Sequence, residues 1–283
     1  MKIGFNMLLW ATHVTEDDFK LLEKIKQAGY DGIEIPVFEG EVSHFQKVGQ
    51  ALKDNGLNST VVAVIPDEDH NPISPNASNR KAAVEYLKWV IDCSQACGAE
   101  VICGPLYQPL GMFSGNGATE EEKQAGAEVH RQAADYAANA NITLAVEALN
   151  RFESYFLNLT DHAAKYARMV NKPNFGILYD TFHANIEEAD PIGCIEPNID
   201  MIKHVHISEN DRGIPGKGHI DFPATFKKLR SAGYDNWLTV EAFGRALPDL
   251  AAATRVWRDF FDSPQQVYTE SIKFIKQQWQ ASA

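Results

Sequence analysis

Short apolar runs alternate with longer amphipathic stretches along the whole chain. The short runs are rich in Val, Ile, Leu and Phe and are bounded by turn residues, which is typical of strands. Because they are apolar without a break, each strand is expected to be buried on both faces, as in a parallel sheet. The runs predict eight strands: Lys2–Asn6, Gly32–Pro36, Ser59–Ile65, Val101–Pro105, Thr143–Ala148, Phe175–Tyr179, His204–Ile207 and Leu238–Glu241.

The amphipathic stretches between these runs predict helices. Their ends carry recognisable signals, such as the C-terminal glycines Gly29 and Gly98 and the Thr-x-x-Glu capping box that begins at Thr119. Asp190–Met201 is also predicted to be helical, although it contains two prolines. The other predicted helices are Thr15–Ala28, Glu41–Asn55, Ser78–Cys97, Thr119–Asn139, Thr160–Val170, Phe222–Ala232 and Gln265–Gln280.

Eight strands that alternate with helices fit either a closed (β/α)8 barrel or an open doubly wound sheet. The open sheet would be expected to carry a Gly-rich phosphate turn after the first strand, where this chain has MLLWATH instead. We therefore predict an α/β protein with one TIM-barrel domain over residues 1–283. Two long loops, Pro66–Asn79 and Leu106–Ala118, follow strands three and four, and in a barrel they would lie on the catalytic face.

Composition narrows the function classes. The 38 acidic and 26 basic residues give a formal charge of −12, which argues against sequence-independent binding of nucleic acid or of an anionic membrane. No apolar run approaches the ~18–20 residues of a membrane span, and the N-terminus resembles a strand rather than a signal peptide. The four cysteines, Cys93, Cys97, Cys103 and Cys194, are predicted to be reduced core thiols of a cytoplasmic protein.

Four ionisable residues stand at the ends of consecutive apolar strands five to eight: Glu147, Asp180, His206 and Glu241. A barrel brings these strand ends to one mouth, where unpaired carboxylates would repel each other unless a cation lay between them. Three carboxylates and one imidazole suit Mn²⁺, Mg²⁺, Co²⁺ or Zn²⁺. His204 shares a face with His206 and is predicted to pack one layer deeper.

Further polar candidates lie in the loops that follow strands five to seven. They are Arg151, Glu153, His183 and Arg212. Spacing alone makes each of them a loop residue that could reach a substrate at the mouth.

Five segments carry a resemblance to a known family. They are VEALNRFE (Val146–Glu153), YDTFHANIEE (Tyr179–Glu188), HVHISENDRGIPGKG (His204–Gly218), TVEAF (Thr239–Phe243) and VWRD (Val256–Asp259). They resemble the ketose 3-epimerases, which include D-tagatose, D-allulose (D-psicose) and L-ribulose 3-epimerases, within the xylose-isomerase-like barrel superfamily. The match is weaker in the N-terminal half, where loops shape the pocket around the far end of the sugar, so the preferred sugar stays open.

The resemblance implies a role for each matching residue. Glu147, Asp180, His206 and Glu241 would hold a divalent metal, with Mn²⁺ expected first and Co²⁺ or Mg²⁺ as alternatives. Glu147 and Glu241 would also form the acid/base pair. Glu153, His183 and Arg212 would bind the first hydroxyl and carbonyl region of a free ketose. A homodimer or homotetramer is expected.

Three other functions stay open at this point. A non-catalytic sugar-binding barrel is one, although it would not need carboxylates on both sides of a metal. The same barrel could also run an aldose–ketose or hydroxypyruvate-type isomerisation or dehydrate an inosose, because a two-carboxylate site hardly distinguishes proton transfer at C1/C2 from transfer at C2/C3. A metal-dependent DNA-repair endonuclease is a different class, but it would need a His-rich metal cluster and a basic groove, and the charge of −12 disfavours it.

Overall fold

The computed structural model describes residues 1–282, and its eight strands close into one parallel barrel. Each strand pairs with the next one along the chain, and β8 pairs with β1. The TIM barrel predicted from the sequence is therefore confirmed. The strands are β1 Lys2–Asn6, β2 Gly32–Pro36, β3 Asn58–Val62, β4 Ala99–Gly104, β5 Thr143–Glu147, β6 Phe175–Asp180, β7 Ile202–Ile207 and β8 Trp237–Val240.

Helices cover the outside of the barrel, and most lie within one or two residues of their predicted bounds. The first is shorter than predicted, because Glu16–Asp18 forms a 3-10 turn before it. The α-helices are α1 Phe19–Ala28, α2 Val42–Asp54, α3 Ala77–Ala96, α4 Glu120–Ala138, α5 Thr160–Val170, α6 Thr181–Glu187, α7 Phe222–Ser231, α8 Pro248–Ala253 and α9 Pro264–Ala281.

Three differences from the predicted elements have local causes. The helix predicted over Asp190–Met201 is wrong, since only the 3-10 turn Glu196–Asn198 forms there. Pro191 and Pro197 lack an N–H donor, and the Asp190 carboxylate accepts hydrogen bonds from the next turn instead. Helices α6 and α8 were not predicted, because both are short and lie in loops at the carboxyl ends of β6 and β8.

Alternate residues of each strand face opposite sides of the barrel wall. Outward residues such as Ile33 and Val205 pack against the helices, while inward residues such as Val101 and Leu178 form a separate core inside the barrel. The indole of Trp237 fills the amino-terminal end of this inner core. It fits because Gly32 of β2 has no side chain there, where a Cβ atom would collide with the ring.

The prediction that the four cysteines do not form disulfides is confirmed within residues 1–282, since all four are free. Three of them are buried and Cys194 is partly buried. In the same part of the chain, every helix is too short or too polar to cross a bilayer.

Candidate metal centre and active site

The four strand-end residues Glu147, Asp180, His206 and Glu241 meet at the carboxyl-terminal mouth of the barrel. Each offers one possible ligand atom, and these atoms all lie within 4.8 Å of one another. The register explains the meeting, because Asp180 and His206 are paired residues on adjacent strands. All four side chains are buried, so three carboxylates share a small space that is shielded from water.

His206 presents one nitrogen to this cluster and one to the barrel interior. Its Nε2 lies 2.7 Å from Oε1 of Glu34, and an ionised carboxylate only accepts, so Nε2 carries the proton. Its Nδ1 is buried without a hydrogen-bond partner, 3.5 Å from Oε2 of Glu241 and 3.8 Å from Oδ2 of Asp180. A buried orphan nitrogen that faces two carboxylates is the arrangement of a metal-ligating histidine. The residues present therefore fit a divalent cation.

Proton and cation compete for that nitrogen. Burial alone would lower the pKa of His206, but the carboxylates of Glu34 and Glu241 outweigh it and raise the pKa well above its usual value. Nδ1 can thus hold either a proton or a metal ion, and metal binding would release the proton.

Arg212 supplies a positive charge to the cluster. Its Nη1 donates to Oδ2 of Asp180 at 2.8 Å and to Oε2 of Glu241 at 2.5 Å. The guanidinium lies between two rings, 3.9 Å from the centroid of Phe182 and 5.0 Å from that of Phe243. Although burial raises the pKa of Asp180, the charge of Arg212 holds it well below the usual range.

The loop that carries Arg212 is held in its conformation by the buried carboxylate of Glu209. The side chain of Glu209 accepts hydrogen bonds from the backbone N–H groups of Asn210, Gly216 and Ile220 at 3.0, 2.8 and 3.2 Å. Arg212 itself has a φ of 63°, in the left-handed region that non-glycine residues rarely adopt. The loop therefore holds Arg212 in a strained backbone conformation that directs its side chain into the cluster.

The two glutamates of the cluster have different surroundings. Burial and the neighbouring carboxylate of Glu241 raise the pKa of Glu147 well above its usual value. Glu241 instead accepts hydrogen bonds from Arg212 and, at 3.1 Å, from the side-chain amide of Asn6. The two glutamates therefore differ in their hydrogen-bond partners and in the charge that faces them.

His183 directs an N–H group towards the same space. Its Nδ1 accepts the backbone N–H of Asn150 at 3.0 Å, so the proton of the neutral ring is on Nε2. Burial and the charge of Arg212 lower the pKa of His183 to about 3, which keeps the ring neutral. Nε2 lies 2.9 Å from Nη2 of Arg212. Both atoms carry protons, so an oxygen acceptor placed beside them would satisfy both.

A pocket opens at the cluster and is lined by Glu147, Glu241, His183 and Arg212. Of the two remaining loop candidates, one also lines this pocket. Glu153 lines the pocket and accepts a hydrogen bond from Nδ2 of Asn150 at 2.7 Å, and burial raises its pKa. Arg151 is exposed and forms a two-point ion pair with Glu187, so its side chain lies outside the cluster.

Sequence reasoning missed two residues beneath the cluster, Glu34 and Asn6. Both are fully buried and are joined by a hydrogen bond of 2.9 Å. The signal in the sequence was a lone acidic residue within the apolar strand GIEIP, which is costly to bury without partners. His204, which was predicted to pack a layer deeper than His206, does so, and its Nε2 lies 2.8 Å from Oε2 of Glu34.

The wall of the pocket away from the cluster is apolar. Among the pocket-lining residues of the described chain, 1–282, Arg212 is the only Lys or Arg. Thr254 also lines it, but its hydroxyl donates to the carbonyl of Leu250 within α8. The apolar wall includes Leu8, Phe38, Val62, Val64, Pro105 and Leu250.

Comparisons with known proteins agree with this geometry. Residues 22–278 match the model of a family described as xylose isomerase-like TIM barrel. A ketose 3-epimerase of Arthrobacter globiformis is 30% identical over 279 residues, which cover 98% of this chain and 96% of that protein. A D-psicose 3-epimerase of Agrobacterium fabrum is 27% identical and covers 92% and 91%. The crystal structure of a Methylomonas D-allulose 3-epimerase in complex with D-allulose is 26% identical, covers 98% and 97%, and superposes with a TM-score of 0.91.

Proposed function

The chain belongs to the ketose 3-epimerase family of xylose isomerase-like TIM barrels, and we propose that it epimerises a free ketose at C3 with the help of a divalent metal. The observation that carries the proposal is the cluster of Glu147, Asp180, His206 and Glu241, with its two unlike glutamates and an unpartnered imidazole nitrogen. Substrates in the range of D-tagatose, D-fructose, D-allulose and L-ribulose follow from the family resemblance. Mn²⁺ is the metal that we expect first.

The reaction needs a base and an acid on opposite faces of the sugar. Loss of the C3 proton gives an enediolate, and return of a proton to the other face inverts the centre. A cation held by the four cluster residues would polarise the carbonyl and offset the negative charge that develops on the oxygens. Glu147 and Glu241 come from strands three steps apart around the ring and are the two proton carriers of the proposal. One removes the proton, the other delivers one, and the reverse reaction exchanges their roles.

The remaining polar residues would orient the substrate. Nε2–H of His183 and the guanidinium of Arg212 both direct donors into the pocket, where a carbonyl or hydroxyl oxygen at C1 or C2 would accept them. Glu153 would accept a hydrogen bond from the O1 hydroxyl. Together these contacts would fix C3 between the two glutamates.

The pocket favours an unphosphorylated sugar. Its single cation, Arg212, is already paired with Asp180 and Glu241. A terminal phosphate would therefore face the apolar wall without a counter-charge, which is costly. This supports a free ketose as the substrate. We also propose, from the sequence alone, a cytoplasmic homodimer or homotetramer.

The test is a panel of free ketoses incubated with Mn²⁺ in D₂O and followed by NMR. We expect a C3 epimer that carries deuterium at C3, and we expect Glu147→Gln and Glu241→Gln each to lower turnover at least ~10²-fold. Glu85→Gln, at an exposed position on the outer helix α3, is the matched control and should leave turnover unchanged.

Two outcomes would overturn the proposal. Deuterium at C1 or C2 with formation of an aldose would move the chain to the isomerase alternative. If Glu147→Gln or Glu241→Gln turned over at a near-normal rate with full metal occupancy, the two-face mechanism would be wrong.

A further inference from the structure

Glu34 lies at the centre of β2, and its side chain contacts Cys103 and His204 inside the barrel, beneath the cluster. We propose that Glu34 is a positioning residue that keeps His206 ready to bind metal, an inference that rests on the proposed metal-dependent function. The distance of 2.7 Å between Oε1 of Glu34 and Nε2 of His206 is the contact through which it acts.

Every partner of Glu34 in the barrel donates a hydrogen bond to it. Oε1 accepts from Nδ2 of Asn6 at 2.9 Å as well as from His206. Oε2 accepts from Oγ1 of Thr60 at 2.9 Å, from Nε2 of His204 at 2.8 Å and from the Cys103 thiol at 3.3 Å. A fully buried carboxyl group that meets only donors has no acceptor for a proton of its own, so Glu34 is present as a carboxylate.

The ionised carboxylate decides which nitrogen of His206 faces the metal cluster. An acceptor at Nε2 fixes the proton there, and the lone pair of Nδ1 is then directed towards Asp180 and Glu241. The negative charge also makes that lone pair a stronger ligand. Glu34 would thus act on the metal through His206, without contact to the metal or the sugar.

The same residues could be read as a second metal site, because Glu34, Cys103, His204 and His206 also offer close ligand atoms. The distances favour hydrogen bonds instead. Two ligands on one tetrahedral ion with bonds of about 2.0–2.1 Å lie roughly 3.3 Å apart, whereas the two histidine nitrogens approach Glu34 to 2.7 and 2.8 Å. Glu34 therefore functions as an acceptor between two imidazoles.

Asn6 extends this support to the proposed acid/base residue Glu241. Its Oδ1 accepts the backbone N–H of Leu8 at 2.9 Å, which fixes the orientation of the amide. The two amide protons then reach Glu34 at 2.9 Å and Glu241 at 3.1 Å. Glu34 is thereby linked to two of the four cluster residues, His206 and Glu241.

The test measures Mn²⁺ binding without substrate, by titration calorimetry on purified Glu34→Gln. We expect the dissociation constant to rise ~10–100-fold, the range found when partners of metal-bound histidines are removed. Thr239→Val is the matched control inside the same barrel, because its hydroxyl is buried and has no hydrogen-bond partner, and it should keep wild-type affinity. The melting temperature of metal-free Glu34→Gln should fall, because the buried donors around residue 34 lose a charged acceptor, so far-UV circular dichroism is recorded alongside to show that the variant is folded.

A spectroscopic readout follows the tautomer directly. In the Zn²⁺-loaded wild type, long-range ¹H–¹⁵N spectra should show His206 protonated at Nε2 with a strongly downfield proton, and this proton should move upfield in Glu34→Gln. If Glu34→Gln fails to fold, Glu34→Asp keeps the charge but withdraws it by one methylene group, and the same loss of affinity is expected.

A dissociation constant within threefold of wild type for the folded variant, with the His206 proton unmoved, would overturn the positioning role. A wild-type protein that binds no metal would instead overturn the proposed function. The two failures are therefore distinguishable.

Discussion

Removal of Arg212 should show how strongly the stability of the fold depends on a positive charge beside the buried carboxylates. In Arg212→Met, Asp180 and Glu241 lose a donor that now lies 2.8 and 2.5 Å from their oxygens. Both carboxylates are nearly inaccessible to water, so solvent cannot replace the lost charge. The substitution keeps much of the side-chain volume between Phe182 and Phe243, which limits the loss of packing.

The magnitude follows from the burial. Loss of one partner from a buried ion pair destabilises a protein by about 3–5 kcal/mol, because the remaining charge is left uncompensated. Unfolding entropy of about 2.1 cal/mol/K per residue amounts to roughly 0.6 kcal/mol/K for a chain of this length. The expected fall in melting temperature is therefore about 5–8 °C in a chelating buffer.

The assay is differential scanning calorimetry of wild type, Arg212→Met and Arg212→Lys, each with chelator and with Mn²⁺. The lysine variant keeps the charge but loses the planar stacking and the second donor, so we expect a smaller loss. In Mn²⁺ the penalty of the methionine variant should fall below half, because a bound cation supplies the missing charge. A methionine variant as stable as wild type in chelator, or equally destabilised with and without Mn²⁺, would refute the electrostatic interpretation.

Two further expectations follow from the same structure. Exhaustive chelation should abolish turnover and lower the melting temperature, and Mn²⁺ or Co²⁺ should restore both. A ligand that binds only the folded state adds about 2.7 kcal/mol to the free energy of unfolding at 100 times its dissociation constant. Full turnover after metal removal would contradict the proposed metal site. His130, which contacts the carbonyl of Leu106 and the hydroxyl of Tyr166, has its pKa lowered by burial to about 4, so the unfolded chain takes up its proton first. The contribution of His130 to the free energy of unfolding should be complete above pH ~6.5 and fall by up to about 1.4 kcal/mol per pH unit between pH ~6.5 and pH ~4. Urea denaturation of wild type and His130→Gln over this range should show that the free energy of unfolding of the variant depends on pH with a slope smaller by one proton. Equal slopes in the two proteins would contradict the assignment.

The sequence was sufficient for the barrel because the strands are short, mainly apolar runs that alternate with amphipathic stretches. The strand-end position of Glu147, Asp180, His206 and Glu241 was equally visible, since the topology carries all such ends to one mouth. The proximity of these four residues is confirmed by the structure, while their roles stay predictions.

Other parts of the site depend on contacts between residues far apart in the chain. Glu34 is separated from His206 by 172 positions, so no local pattern could show that the two meet. Likewise, the short helix α6 is begun by Asp180, whose carboxylate accepts the backbone N–H of Phe182 at 2.6 Å. A strand-end residue that is also a helix cap is ambiguous until the fold is known.

The carboxylate of Glu209 beneath the Arg212 loop has a consequence for the thermodynamics of sugar binding. With three backbone N–H groups held by one side chain, the loop loses its conformational entropy when the protein folds and not when the sugar arrives. Binding then has no loop to order, and its affinity reflects the contacts themselves. Loosening this anchor would shift that entropy loss to the binding step, so the Michaelis complex would weaken even though no residue that touches the sugar had changed.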